Sequence, residues 1–156
     1  MVETTLSGAS HHILTNDYAS EWMGIEVLKL DDGHATIRMH LRQEMLNGFG
    51  MAHGGMIFAF GDTAFALACN PANPTPEEAA SITVASGVDI NFIKPAYQGQ
   101  VITAVANRRA STGRSGLYDI QIFAASPDAA PDTPTDAETG ELIAEFRGRS
   151  RTISKK

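Results

Sequence analysis

Gly55-Met-Ile-Phe-Ala-Phe-Gly-Asp62-Thr-Ala-Phe-Ala-Leu-Ala-Cys69 decides the fold. It is apolar around nearly its whole circumference, with one carboxylate in its middle. A helix of that kind has to be buried on most of its sides. Pro71, Pro74 and Pro76 end it. At about 15 residues it spans ~22 Å, the width of a curled sheet.

The flanking sequence supplies that sheet. Ile25 to Leu30 is a short strand candidate, and Asp32-Gly33 is a hairpin turn signal. Ala35, Ile37, Met39 and Leu41 then alternate with polar partners, as in a strand with one wet face. After the helix, four strands are expected: Ile82 to Phe92, Val101 to Arg109, Leu117 to Ala125 and Leu142 to Ile153. Asn16 or Asp17 caps a short helix running to about Met23. Residues 1–16 read as a flexible tail and 17–156 as a single domain. Ser126 to Gly140, rich in Pro, Asp and Ala, reads as a long solvated hairpin loop. Two strands, one helix and four strands with short turns give an α+β fold, an antiparallel sheet wrapped around one long central helix.

Composition narrows the function. The chain has 156 residues, 43% of them hydrophobic, and a net charge of -6 from 18 Asp+Glu against 12 Lys+Arg. That is one domain with a proper core, without the basic footprint of nucleic-acid binding. The lone Cys69 excludes an internal disulfide and a Cys-based zinc site. No secretory signal is evident, and the apolar run from Met56 to Cys69 is too short to span a bilayer of ~30 Å. A cytoplasmic setting without membrane contact is expected.

The residues with chemical potential lie around the helix start, Asn47-Gly-Phe-Gly-Met-Ala-His53-Gly54-Gly55. Asp62 sits among Phe58, Phe60 and Phe65, where a carboxylate is costly to bury unless paired or used. It is either functional, or it accepts bonds from a strand or subunit, or it meets water at an edge. Gly54 and Gly55 open the helix, where unpaired N–H groups and the positive dipole end can hold an oxyanion, or they form only a tight turn. His53 is an acid/base group or a loop brace, with bracing favoured; Asn47 orients a water or carbonyl, or forms a turn. Gly54 and Asp62 are eight residues apart, ~12 Å along a helix axis. One carbonyl therefore cannot easily touch both in a single chain. Joint use requires two subunits.

Other constellations fail. There is no serine nucleophile elbow and no phosphate loop. His11-His12 is a weak metal hint, and no metal site is expected. Arg147, Arg149 and Arg151 share a strand face that either holds a nucleotide phosphate or is simply solvated.

The spacing Asn47-x5-His53-Gly54-Gly55-x6-Asp62-Thr-Ala-Phe resembles the hotdog-fold thioesterases, and within them the phenylacetic acid degradation (PaaI-type) branch. Met45-Leu-Asn-Gly, Ala64-Phe-Ala-Leu-Ala-Cys-Asn70, Val84-Ala-Ser, Gly116-Leu-Tyr-Asp-Ile-Gln-Ile122 and Phe146-Arg-Gly-Arg-Ser150 extend the likeness over residues 17–153. The resemblance implies a dimer, commonly paired into a homotetramer, that hydrolyses acyl-CoA, with aryl-acetyl groups typical. It casts Asp62 as nucleophile or general base and the Gly54 N–H as the group polarising the carbonyl across the interface. Asn47 would position water or thioester, and His53 would hold the loop. No cofactor is required, because a thioester is already activated. Gly55, Thr63, Arg147 and Arg149 are candidate substrate contacts. Ser86 and Gly87 compete for the strand position that faces the acid in some relatives. Pro71 to Glu78 and Ser126 to Gly140 look longer than usual in the branch. Two other chemistries compete with hydrolysis: a hotdog hydratase or dehydratase, and a non-catalytic acyl-CoA binding module.

Overall fold

The computed structural model describes residues 10–128 and 140–155. Most of the loop expected over Ser126–Gly140, and residues 1–9 of the expected tail, lie outside the described residues.

Six strands form one antiparallel sheet: β1 (Glu26–Asp31), β2 (His34–His40), β3 (Ser81–Phe92), β4 (Val101–Thr112), β5 (Ser115–Ala125) and β6 (Glu141–Ser154). Their order across the sheet is β1-β2-β4-β5-β6-β3, so β1 and β3 are the edges. A short helix α1 (Tyr18–Met23) precedes the sheet. The main helix α2 (Gly54–Cys69) lies against its concave face. This is the arrangement that the apolar run and the alternating strands demand.

The core follows from period-two patterning. Ile37 and Met39 of β2, Ile102 and Ala104 of β4, Ile120 and Ile122 of β5, and Phe146 of β6 are all buried in one cluster with Phe60, Ala64 and Phe65 of α2. Helix and sheet are pressed together at two glycines. A Cβ on Gly148 would stand 2.7 Å from the Phe65 ring, and one on Gly61 would stand 2.9 Å from Phe146. Any side chain there would force the layers apart.

The ends of α2 are anchored differently. Past its C-terminus, Asn70 donates to the Ala66 and Thr83 carbonyls at 3.0 Å each and accepts from the Thr83 N–H at 3.0 Å. This joins the helix to β3. His11 is only 4% exposed. Its Nδ1 accepts from the Ile13 N–H at 3.3 Å, so Nε2 carries the proton and donates to the Asn70 carbonyl at 2.9 Å. Burial lowers the pKa of this imidazole below its ordinary value and keeps it neutral. The chain from Ser10 to Asn16 is thus packed against the end of α2, in a stretch expected to be loose. Among the described residues no helix is long and apolar enough to cross a membrane.

Candidate active site

The loop before α2 is held by its own backbone. Asn47 N–H donates to the Met51 carbonyl at 2.7 Å, Ala52 N–H to Ala96 at 2.8 Å and His53 N–H to Met45 at 2.8 Å. The Asn47 Oδ1 accepts from the Phe49 and Met51 N–H groups at 2.9 and 3.1 Å. The side chain is therefore a turn former through its oxygen. Its amide nitrogen has no acceptor among the described residues.

His53 is the N-cap of α2. Its Nδ1 accepts from the Gly55 N–H at 2.9 Å, and its carbonyl accepts from Met56 and Ile57 at 2.9 and 3.2 Å. Three of the four open donors at this helix start, the N–H groups of His53, Gly55 and Met56, are satisfied. The fourth, the Gly54 N–H, has no acceptor among the described residues. It is left at the positive end of the helix dipole. A Cβ on Gly54 would stand 3.3 Å from the Phe92 ring, so this backbone is approachable only because the side chain is missing. Met51, Ala52, Gly54, Ile57, Phe92, Ile93, Lys94 and Pro95 line a hollow of about 310 Å³ there.

Asp62 lies two helical turns further on. Gly55, Phe58 and Asp62 fall on one side of α2, where Phe58 is 37% exposed although its ring also meets Phe146 of β6 at 5.4 Å. No hydrogen-bond donor reaches the Asp62 carboxylate among the described residues. Burial, and secondarily the negative charge of Asp17, raises its pKa above the ordinary aspartate value. Next to it the Thr63 hydroxyl meets the Ser20 hydroxyl of α1 at 2.9 Å.

The remaining candidates lie elsewhere. Ser86 is the extra residue of a β-bulge between Ala85 and Gly87, and its hydroxyl donates to the Arg149 carbonyl at 3.1 Å. A Cβ on Gly87 would stand 2.7 Å from the Arg149 guanidinium, which places Gly87 on the outer face of the sheet. Arg147 and Arg149 stand on that face, alternating with buried Phe146, Gly148 and Ser150. Arg147 grips Asp119 with two bonds, at 2.7 and 3.0 Å, and Arg149 pairs with Asp89 at 3.2 Å. Cys69 is partly buried, and burial pushes its thiol up to about 12, which removes it as a nucleophile. It borders a hollow of about 510 Å³ at the C-terminal end of α2, where Arg108 is already paired with Asp32. Among the described residues no His, Cys, Asp and Glu side chains cluster in threes to hold a metal.

A family model described as the thioesterase superfamily matches residues 49–130, the stretch that carries α2 and its preceding loop. The acyl-coenzyme A thioesterase PaaI of Escherichia coli K12 is 33% identical over 92% of this chain and 89% of its own. The chain belongs to the thioesterase superfamily. The solved structure of the E. coli PaaI protein, from the phenylacetic acid degradation operon, aligns with a TM-score of 0.75 at 32% identity, covering 93% of this chain and 91% of that one. The TT0310 protein of Thermus thermophilus aligns at 0.71 and 28% identity, covering 88% and 98%. The hotdog fold is shared, and this superfamily member is a thioester hydrolase.

Within the superfamily reading, one group escaped the sequence. Ser20, buried between α1 and α2, connects Asp17 to Thr63. Its only sequence signal was the capping aspartate three residues before it.

Proposed function

We propose that this chain hydrolyses an acyl-CoA thioester to the free acid and CoA, with Asp62 as nucleophile or as general base for water. The observation that carries this reading is a half-buried carboxylate without a donor, two turns along a helix whose first backbone N–H lacks an acceptor, both among the described residues. The Gly54 N–H polarises the thioester carbonyl and stabilises the oxyanion. As general base, Asp62 takes a proton from water whose oxygen adds at the carbonyl carbon, the C–S bond breaks, and the departing CoA thiolate takes up the proton; as nucleophile, the carboxylate itself adds, the thiolate leaves, and water then hydrolyses the acyl-Asp62 anhydride to free acid and carboxylate. His53 fixes the loop rather than transferring protons, because its Nδ1 is engaged by Gly55. That also weighs against a hydratase, which wants a free histidine base. Asn47 has its amide nitrogen left for water or the thioester.

The two groups act across a two-fold axis. They are ~12 Å apart along one helix, and exposed Gly55 and Phe58 of α2 supply the surface on which a second α2 packs. A dimer, paired further into a tetramer, is the assembly we assign. The apolar hollow beside Gly54 takes the acyl group. An aryl-acetyl group is the choice supported by similarity to the E. coli protein of the phenylacetic acid degradation operon. Arg147 and Arg149 have the weaker role of meeting CoA phosphates.

Mixing two dead variants tests the assignment. Asp62→Ala and Gly54→Pro chains, unfolded and refolded together at equal ratio, recover about a quarter of wild-type thiol release if each site draws on both subunits of a two-fold dimer. No recovery, with dimers confirmed by sedimentation, contradicts the shared site.

A further inference from the structure

Asp17 caps α1, and it does more than that. Its Oδ1 accepts from the Ser20 N–H at 3.0 Å and its Oδ2 from the Ser20 hydroxyl at 2.7 Å. Ser20 is 1% exposed. An ionised carboxylate can only accept, so the Ser20 proton goes to Asp17. The 2.9 Å contact between Ser20 and Thr63 must then be donated by Thr63. The Thr63 hydroxyl, next to Asp62 in sequence, therefore donates to Ser20 and is the last link of a chain that ends on Asp17.

We propose that Asp17 is a positioning residue for the Asp62 chemistry: through Ser20 and Thr63 it locks α1 onto the turn of α2 that carries Asp62 and sets its own carboxylate beside that turn. The inference rests on the reading of Asp62 as the acid of thioester hydrolysis. Burial is the larger reason Asp62 holds its proton more tightly than usual, and the Asp17 charge is the second. The value of the arrangement is chemical. A more basic carboxylate takes a proton from water more readily, or attacks a carbonyl better, at the cost of a smaller ionised fraction in acid.

Few other charges compete for this role. The sheet meets α2 with Ile37, Met39, Ile102, Ala104, Ile120, Ile122 and Phe146. Tyr118 of β5 is titratable but engaged by Arg108, and Cys69 on α2 itself stays a neutral thiol. Glu21 of α1 is exposed. Among the described residues, Asp17 is the charged group that bears on Asp62, second to burial.

Asp17→Asn separates charge from architecture, because asparagine is as good an N-cap as aspartate. The test follows the Asp62 carboxyl by carbon NMR against pH in the substrate-free protein, alongside the pH profile of kcat on phenylacetyl-CoA. The expected result is an Asp62 titration, and with it the acid limb of kcat, displaced to lower pH in Asp17→Asn. An Asp62 titration coincident with wild type overturns the proposal. Should the variant not fold, wild type decides: raising the salt concentration screens the pair and moves the Asp62 titration to lower pH, whereas a titration unmoved by salt overturns it. The NMR readout needs no turnover and is therefore independent of the hydrolysis reading, which fails instead if Asp62→Asn turns over like wild type.

Discussion

The two ends of α2 are built on opposite terms. At the C-terminal end side chains tie the helix down: Asn70 joins it to β3, and His11 closes over the Asn70 carbonyl. At the N-terminal end all but one donor is satisfied, and the exception is the Gly54 N–H. Asp62, midway along, is likewise left without a donor among the described residues. Satisfied groups hold the helix in place; unsatisfied ones are available to a substrate. Leaving a half-buried carboxylate unpaired costs stability, which is tolerable only where the group is used.

If that contrast is right, changes at the open end remove activity and changes at the closed end remove stability. The largest effect falls on Asp62. Asp62→Asn should lose about 10²–10⁴-fold in kcat, the usual worth of an acid–base group. It should also melt higher than wild type at neutral pH. The sign follows from the raised pKa: the folded state binds the proton more tightly than the unfolded chain, so ionisation disfavours folding above the folded pKa. The stability advantage should shrink as pH falls through the carboxylate range. A variant both inactive and less stable at neutral pH would break the comparison.

Next is the backbone donor. Gly54→Pro deletes the free N–H, and adds a ring beside Phe92, at a position where proline fits a helix start, and should cost about 10²–10³-fold in kcat. Gly54→Ala keeps the donor and is the control for the Phe92 contact. Equal losses in both would make the effect steric.

At the closed end, Asn70→Ala should cost about 1–3 kcal/mol by leaving the Thr83 backbone groups without partners, measured by urea unfolding, with kcat unchanged. His11 adds a pH signature there. Its depressed pKa contributes stability that is present above pH 6.5, the ordinary histidine value, and lost as pH falls through the lowered one. His11→Phe should flatten that dependence in a melting series.

The smallest effect belongs to the outer face. Arg147→Ala and Arg149→Ala should raise KM for acyl-CoA a few-fold at most and leave kcat alone, because each guanidinium is already shared with an aspartate. Unchanged KM in both would remove them from the substrate path.

The sequence was informative wherever the signal is local. Apolar density from Gly55 to Cys69 marked the central helix, period-two alternation marked the strands, and Asp17 stood where a cap was expected. Asp62 was conspicuous because a carboxylate among phenylalanines contradicts its surroundings. What escaped depends on contacts between distant residues. His11 is buried by Asn70, 59 positions away, and Ser20 meets Thr63 across 43. The bulge at Ser86 exists only through the pairing of β3 with β6. Likewise, the alternation of arginines in β6 gave their face but not the aspartates from neighbouring strands that hold them.

The most direct measurement is thiol release from phenylacetyl-, hydroxyphenylacetyl-, benzoyl-, short-chain and long-chain acyl-CoA, with wild type and Asp62→Ala side by side. The expected result is release by wild type, fastest for the aryl-acetyl thioesters, and none above background for Asp62→Ala. Release that is equal in the two proteins, or absent for every thioester, would contradict it.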